Sequence, residues 1–455
     1  MKRIVIFSMI IFTNLYLFAQ VDIIGNLETK TRFGFTGEDR ITWSRNILTL
    51  NLTSNITEGA GLFSDIRFVH DGFPKQEKVS NYLKNSLELT QPLSIEFREA
   101  FIDLYAFPLH NVDIRIGKQR IAWGTADKFN PTDNINPDKL DDIYEFGDHF
   151  GSTAFNIKWY PGPFTTQLIY IPTFTPAVLP RGDWINAFIN YNVPDTILQQ
   201  FPQYNPLDIF DYINIDNRVK NTSSFAFKIS TMLFGYDLSL SFYKGREDIP
   251  VLDYNNVYKF FDTISKYDPN TPISFEYGPL FLYPRKSVIG IDFAGSIRNI
   301  GIWGEFAYTD MQEVYHWIPL INPQKVIDAG GKFIKYVLGF DYTTAYNLYI
   351  NFQYIHGFLH EMKKDNLNDY FSFRLEKNFP YKNFKLILLS GLASVSDWDN
   401  IKESYGFTVG PGLEIRPSDG VELTIGTYII DAKPGSFFYN VKDLDEVYLN
   451  FKYSF

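Results

Sequence analysis

The chain has 455 residues, enough for two or three ordinary soluble domains, but 43 Phe, 30 Tyr and 7 Trp make it 18% aromatic, which argues against that division. It has no Cys, which excludes a disulfide framework, a thiolate metal site and a cysteine nucleophile. Its formal charge of -10 lacks the basic face of a nucleic-acid binder, and its slightly polar mean hydropathy is unlike that of a helical membrane protein, though it suits a barrel with a wet interior.

Lys2 and Arg3 precede an apolar run from Ile4 to Phe18, and Ala19-Gln20 follows as a small-residue cleavage site. This order predicts a signal peptide over 1–19 that is removed on export. The run is short for a spanning helix, and no later segment is a long uncharged apolar run. Residues 20–455 are expected to form one unit.

From residue 20 onward the recurring pattern has period 2. Leu27, Thr29, Thr31, Phe33 and Phe35 alternate with Glu28, Lys30 and Arg32. The same alternation runs through Phe225–Ile229, Leu348–Tyr354, Phe371–Glu376 and the terminal Glu446–Phe455. Side chains of successive strand residues point to opposite faces, so one row meets lipid and the other water. A soluble sandwich also alternates, but so many aromatic faces suit the interfacial girdles of a membrane barrel. Strands are expected at 22–35, 43–57, 60–70, 95–106, 111–121, 152–160, 164–171, 222–233, 236–244, 285–297, 300–309, 333–343, 346–356, 368–378, 383–394, 405–416, 420–431 and 444–455.

The gaps alternate between short turns such as Glu58-Gly59 and Arg298-Asn299, and long loops at 71–94, 122–151, 172–221, 245–284 and 310–332. That sorting is expected of an all-β, single transmembrane antiparallel barrel of about eighteen strands, with short periplasmic turns and long extracellular loops. A barrel of this size encloses an aqueous channel.

By the alternation, charges of both signs face the lumen, among them Arg67, Arg115, Glu305, Arg374, Glu376, Glu414 and Arg416. They solvate the lumen and pair across strands, or set a field across the pore; the mixed signs assign no ion preference. In 95–106, Phe97, Glu99, Phe101 and Asp103 share one face. Carboxylates toward lipid are costly, so this face is expected inward, with Phe101 covered from inside by the 122–151 loop.

That loop follows the strand 111–121, in which Gly117 permits a bulge. The strand breaks at Trp123-Gly124, and Asn130-Pro131 and Asn136-Pro137 form turns. The loop is read either as a rigid surface loop or as an inward constriction. In the second reading Asp127, Asn130, Asp133, Asn136 and Asp138 line the passage together with Arg115, Gln119, Trp123, Glu99, Asp103, Arg67, Arg374 and Arg416. Asp133–Asp138 offers oxygen ligands for calcium but not the spacing of an EF-hand, and His356 and His360 lie at a strand end where i and i+4 share no helix face. No metal, cofactor or catalytic activity is therefore expected.

Gly117, Lys118, Gln119, Trp123, Gly124, Asn136, Pro137 and Asp138 carry a further signal. GKQRIAWG followed by FNPTDNINPDKLDD resembles a family of porin-like bacterial outer-membrane proteins of undefined function, and a last strand ending in Phe455 resembles the terminal signature of outer-membrane barrels. The resemblance implies an outer-membrane location in a Gram-negative cell and passage of a solute, with outer-membrane lipid and lipopolysaccharide as surroundings. The leading expectation is a passive channel for small polar or amphipathic solutes. The alternative is a surface-interaction or structural protein that binds a partner through its long loops around a closed lumen. Substrate and oligomeric state stay open.

Overall fold

The computed structural model describes residues 21–36, 40–73, 90–181, 184, 222–256, 281–318, 324–379 and 383–455. The expected signal peptide at 1–19 and parts of the loops at 71–94, 172–221, 245–284 and 310–332 lie outside the described residues.

The strands are β1 (Val21–Gly34), β2 (Arg40–Thr57), β3 (Ala60–Asp71), β4 (Leu93–Leu104), β5 (Val112–Gln119), β6 (Ser152–Trp159), β7 (Phe164–Ile171), β8 (Ser224–Leu233) and β9 (Tyr236–Arg246). They continue with β10 (Arg285–Ile297), β11 (Ile300–Ile318), β12 (Gln324–Thr343), β13 (Leu348–His356), β14 (Asp369–Phe379) and β15 (Phe384–Val395). β16 runs as Tyr405–Val409 and Gly412–Ser418, followed by β17 (Val421–Ala432) and β18 (Glu446–Ser454). The two pieces of β16 are halves of one strand interrupted at Gly410-Pro411, so the 19 segments of the sheet make eighteen strands.

Each strand pairs antiparallel with its sequence neighbour, and β1 pairs with β18 from Asn26↔Ser454 to Gly34↔Glu446. Gly25 and Phe455 exchange two backbone hydrogen bonds of 2.9 Å beyond that register. The sheet is thus closed, and backbone groups are paired within the wall, as lipid demands. Leu27, Phe33, Phe155, Tyr170, Phe306 and Tyr308 are exposed on the outside, whereas Arg32, Arg45, Gln119, Glu305 and Glu376 are buried on the inside. The polar row is buried because something fills part of the lumen.

Two expectations about strands are corrected. The loop placed at 310–332 is largely strand, since β11 runs to Ile318 and β12 begins at Gln324. A bulge between Met311 and Val314 faces Gly330 and shifts the register there. It resets the alternation, so Tyr315 and Trp317 face outward beyond it and the pattern no longer reads as one strand. The second correction is in β4. A bulge at Arg98 separates Phe97 from Glu99, which turns Phe97 outward, 54% exposed, while Glu99, Phe101 and Asp103 remain inside. Phe101 is covered by the Arg115 guanidinium at 3.8 Å and by the Phe63 ring at 5.2 Å, rather than by the 122–151 loop.

Candidate functional site

The segment 120–151 leaves β5, crosses the interior and returns to β6. Its outward run ends on one side chain of β11. Glu305 is 0% exposed and accepts from Thr125 N at 2.6 Å, Ala126 N at 2.7 Å and Asn130 Nδ2 at 2.8 Å through Oε1. Its Oε2 accepts from Thr132 Oγ1 at 2.7 Å and Thr132 N at 3.3 Å. These are orphan donors of a tight turn gathered on one carboxylate, each stronger than a neutral pair for the charge. Gly124, at φ +89°, has no Cβ for a reason: one would stand 2.5 Å from Glu305 Oε1. The reach extends to β13, nearly half-way round the barrel from β5, where Asp127 N donates to Gln353 Oε1 at 3.0 Å and Asn351 Nδ2 donates to Asp127 Oδ2 at 2.7 Å.

The returning run is held by ion pairs. Asp142 meets Arg32 on β1, and Asp141 accepts from Arg45 on β2 at 2.8 Å, the same guanidinium that donates to Asp71. Asp148 takes both Nη atoms of Arg98 on β4, one at 2.9 Å. Glu145 pairs with Lys30. Burial alone raises the pKa of Asp141, but Lys139 and Arg45 outweigh it and hold the carboxyl down at about 2. The same balance, with Arg98 and Lys30 as the dominant partners, keeps Asp148 and Glu145 below the usual carboxylate range.

Between these two anchorages three loops are laced together. Val178 N donates to Asp138 O, Leu140 N to Val178 O, and Ala177 N to Asp248 O. Asp138 N donates to Asp248 Oδ2 at 2.7 Å. Burial, then the neighbouring Asp138 and Glu247 carboxylates, push Asp248 well above its ordinary value. Burial likewise lifts Asp133 to about 6 despite nearby His149 and Arg120. His149 moves up because Asp138, 3.1 Å from its Nδ1, outweighs the effect of burial. Asp133, Asp138, Glu247, Asp248, Lys286 and Lys335 share a cavity of about 60 Å³, room for one or two waters.

The loop leaves two larger spaces. One, of about 460 Å³, lies over β1–β4 beside Arg32, Arg45 and Asp141. The other, of about 560 Å³, lies between Asp127–Phe146 and the wall β13–β18. Ile143 and Trp184 line both. Tyr144 stacks on Tyr428 of β17 at 3.7 Å between ring centres, which brings the loop onto this wall as well.

The structure brings together only some of the residues expected on the passage. Asp127 and Arg374 line the larger cavity, and Arg374 donates to Glu376 at 2.5 Å. Arg416, beside Glu414 and Glu422, is exposed in the lumen. Asn130 serves Glu305 instead. Asn136 clamps Ile121 through both its N–H and C=O, and the Asp133 side chain accepts from Asn136 and Ile135. Asp138 belongs to the laced loops. Arg115 pairs with Asp103 at 2.7 Å, away from the cavities. Glu99 accepts from Arg120 N at 2.8 Å, and Arg67 stands 3.9 Å from Asp148. Gln119 and Trp123 are buried in a side-chain chain through Asn156 and Gln167, so they brace the loop's start and do not face water.

Sequence reasoning placed Glu305 inward but missed its role, and it missed Lys128, Tyr144 and the arginines Arg45 and Arg98. Its inward place in the alternation was the signal the sequence offered for Glu305. Among the described residues no cluster of three or more His, Cys, Asp or Glu is placed to hold a metal. His356 bonds Asp369 at 2.8 Å, and His360 lies against the Phe437 ring.

No family model matches the chain, and no curated protein sequence matches it. Solved structures do. OccAB4 of Acinetobacter baumannii is 7% identical over 96% of this chain and 98% of that one, with a TM-score of 0.53. OmpF of Salmonella typhi, in complex with daunomycin, is 9% identical over 96% and 98%, at 0.41. A mutant of the Rh. blastica porin is 11% identical over 96% and 100%, at 0.40. The likeness to OccAB4 supports the porin-like transmembrane barrel fold.

Proposed function

We propose that the protein is a channel of the bacterial outer membrane that passes small polar or amphipathic solutes passively, with the 122–151 loop as its constriction. One observation carries this reading. The loop is fastened at both ends to the inner wall, by Glu305 and by the Arg32, Arg45 and Arg98 pairs, yet a cavity of about 560 Å³ remains beside it. A lumen meant only to be closed needs no such gap. Asp127 and Arg374, with Lys128, are the passage-lining residues in this reading, and Glu305 is the positioning residue behind them. The resemblance of the GKQRIAWG stretch to porin-like outer-membrane proteins points the same way.

Purified protein in planar bilayers tests it, with solute uptake into liposomes alongside. The reading expects discrete openings and uptake of small polar solutes. No openings together with unchanged uptake would overturn it in favour of a surface-interaction or structural protein with a closed lumen.

A further inference from the structure

We infer that the outer wall of β9–β12 carries a phosphate site at its long-loop end, and that its occupant is a membrane lipid with a phosphate monoester in its headgroup. The site lies on the outside of the barrel and is independent of the channel reading.

Four neighbouring strands change character at one height. Phe242, Ile289, Tyr308 and Ile334 stand opposite one another on the outward face. Below them, every outward position of these strands down to the short turns is apolar, aromatic or glycine. The next outward row above reads Lys244, Ser287, Asp310 and Lys332, again directly opposite one another. Charge toward lipid is costly at depth and cheap at the interface, so this step marks the upper edge of the apolar band.

The charges at that edge are unequal. Arg285, two residues above Ser287 on β10, is diagonal to Lys244, a separation of about 7–8 Å between backbones. Both side chains are exposed, and among the described residues neither forms an ion pair. Asp310 stands on the other side of Ser287, directly opposite Lys332, the cation nearest to it by register. Register thus gives Asp310 a cation of its own and leaves Lys244 and Arg285 with surplus positive charge around a serine hydroxyl. Arg246, opposite Arg285, donates to Tyr283 O at 2.7 Å, and the site does not depend on it. A phosphate monoester carries about 1.5 to 2 negative charges at neutral pH and three acceptor oxygens. An ammonium, a guanidinium fork and a hydroxyl supply matching donors. A phosphodiester has a single charge, and a zwitterionic headgroup brings its own cation. The row beneath selects a lipid over the free ion, because acyl chains below the phosphate lie on Phe242, Ile289, Tyr308 and Ile334.

Native mass spectrometry of the full-length protein in detergent micelles tests the site, with dioleoyl phosphatidic acid, phosphatidylglycerol and phosphatidylcholine as probes. Wild type is expected to hold phosphatidic acid about five-fold more tightly than phosphatidylglycerol, as one further charge implies, and phosphatidylcholine more weakly still. Lys244→Gln and Arg285→Gln are each expected to weaken phosphatidic acid binding about five-fold. Lys325→Gln, whose ammonium already has Glu313 at 3.2 Å, is expected to leave it unchanged. Heat-modifiable gel migration checks that every variant folds. An excess of inorganic phosphate is expected to leave the lipid bound. Phosphatidic acid binding that is absent from wild type, equal to that of phosphatidylglycerol, or unaltered in either Lys244→Gln or Arg285→Gln overturns the proposal. Displacement of the lipid by inorganic phosphate also overturns it, in favour of a site for the free ion.

Discussion

The two anchorages of the 122–151 loop are built from different chemistry. At Glu305 one buried carboxylate gathers peptide N–H groups and the side chains of Asn130 and Thr132. At β1–β4 three aspartates of the returning run meet three arginines of the wall. The first anchorage has no protein cation, and its donors do not titrate. The second is charge against charge, and several partners have an alternative nearby, such as Asp71 for Arg45 and Lys139 for Asp141. The far end is therefore centred on Glu305, with uncharged Gln353 and Asn351 holding Asp127 beside it, and is indifferent to salt, whereas the near end is distributed and sensitive to conditions.

Removing Glu305 should have the largest effect. Glu305→Ala strands several donors at once, each costing about 1–3 kcal/mol if left unpaired, so the local loss is expected to exceed about 3 kcal/mol. Hydrogen exchange by mass spectrometry should show protection of 124–132 falling about a hundred-fold, with 139–149 much less affected. Equal loss in both runs would merge the two anchorages into one. Arg45→Ala should come next. Breaking a buried pair costs about 3–5 kcal/mol in a dry interior, but water in the lumen and Lys139 beside Asp141 reduce this to about 1–2 kcal/mol. The deprotection should appear in 139–149 and leave 124–132 unchanged.

Acid divides the two ends further. Asp141 has a depressed pKa of about 2, so its contribution is complete above the unfolded value near 4 and is lost as pH falls from about 4 to about 2. Asp148 and Glu145 shift in the same direction. Asp133 and His149 run the other way. Asp133 is raised to about 6, so its ionisation opposes the folded loop as pH rises from about 4 to about 6. His149 is raised, so its contribution is complete below about 6.5 and is lost as pH rises through its folded value. Protection of 133–149 should therefore be greatest near pH 4 and should decline as pH rises through about 6 and beyond. A flat profile from pH 3 to 8 would remove the ion pairs from the account. The smallest effect is salt: raising KCl from about 0.1 to about 1 M should cost 139–149 under about 1 kcal/mol and 124–132 nothing measurable.

The barrel was legible because lipid enforces a rule on every second residue, and sixteen of the eighteen strands lie within about three residues of where alternation puts them. Alternation failed where a bulge resets it. The pair Met311/Val314 concealed the ends of β11 and β12, and Arg98 turned Phe97 to the outside. The loop was legible as a break, from Trp123-Gly124 and the Asn-Pro turns, but its partners were not. Glu305 lies 180 residues from Thr125, and no local pattern announces a contact at that separation. Polar type also misled: Asn136 and Gln119 read as passage residues, yet both spend their hydrogen bonds on backbone and neighbouring side chains. Lys128 gave no signal, because its position depends on Gly147 packing from the far side of the loop.

The most direct test is single-channel conductance in planar bilayers of a variant lacking Asp127–Asp138, with heat-modifiable migration confirming that the barrel still forms. A loop that crosses the lumen and narrows it predicts a clear rise in conductance over the intact protein. Conductance unchanged by the deletion would contradict the account and remove the loop from the route.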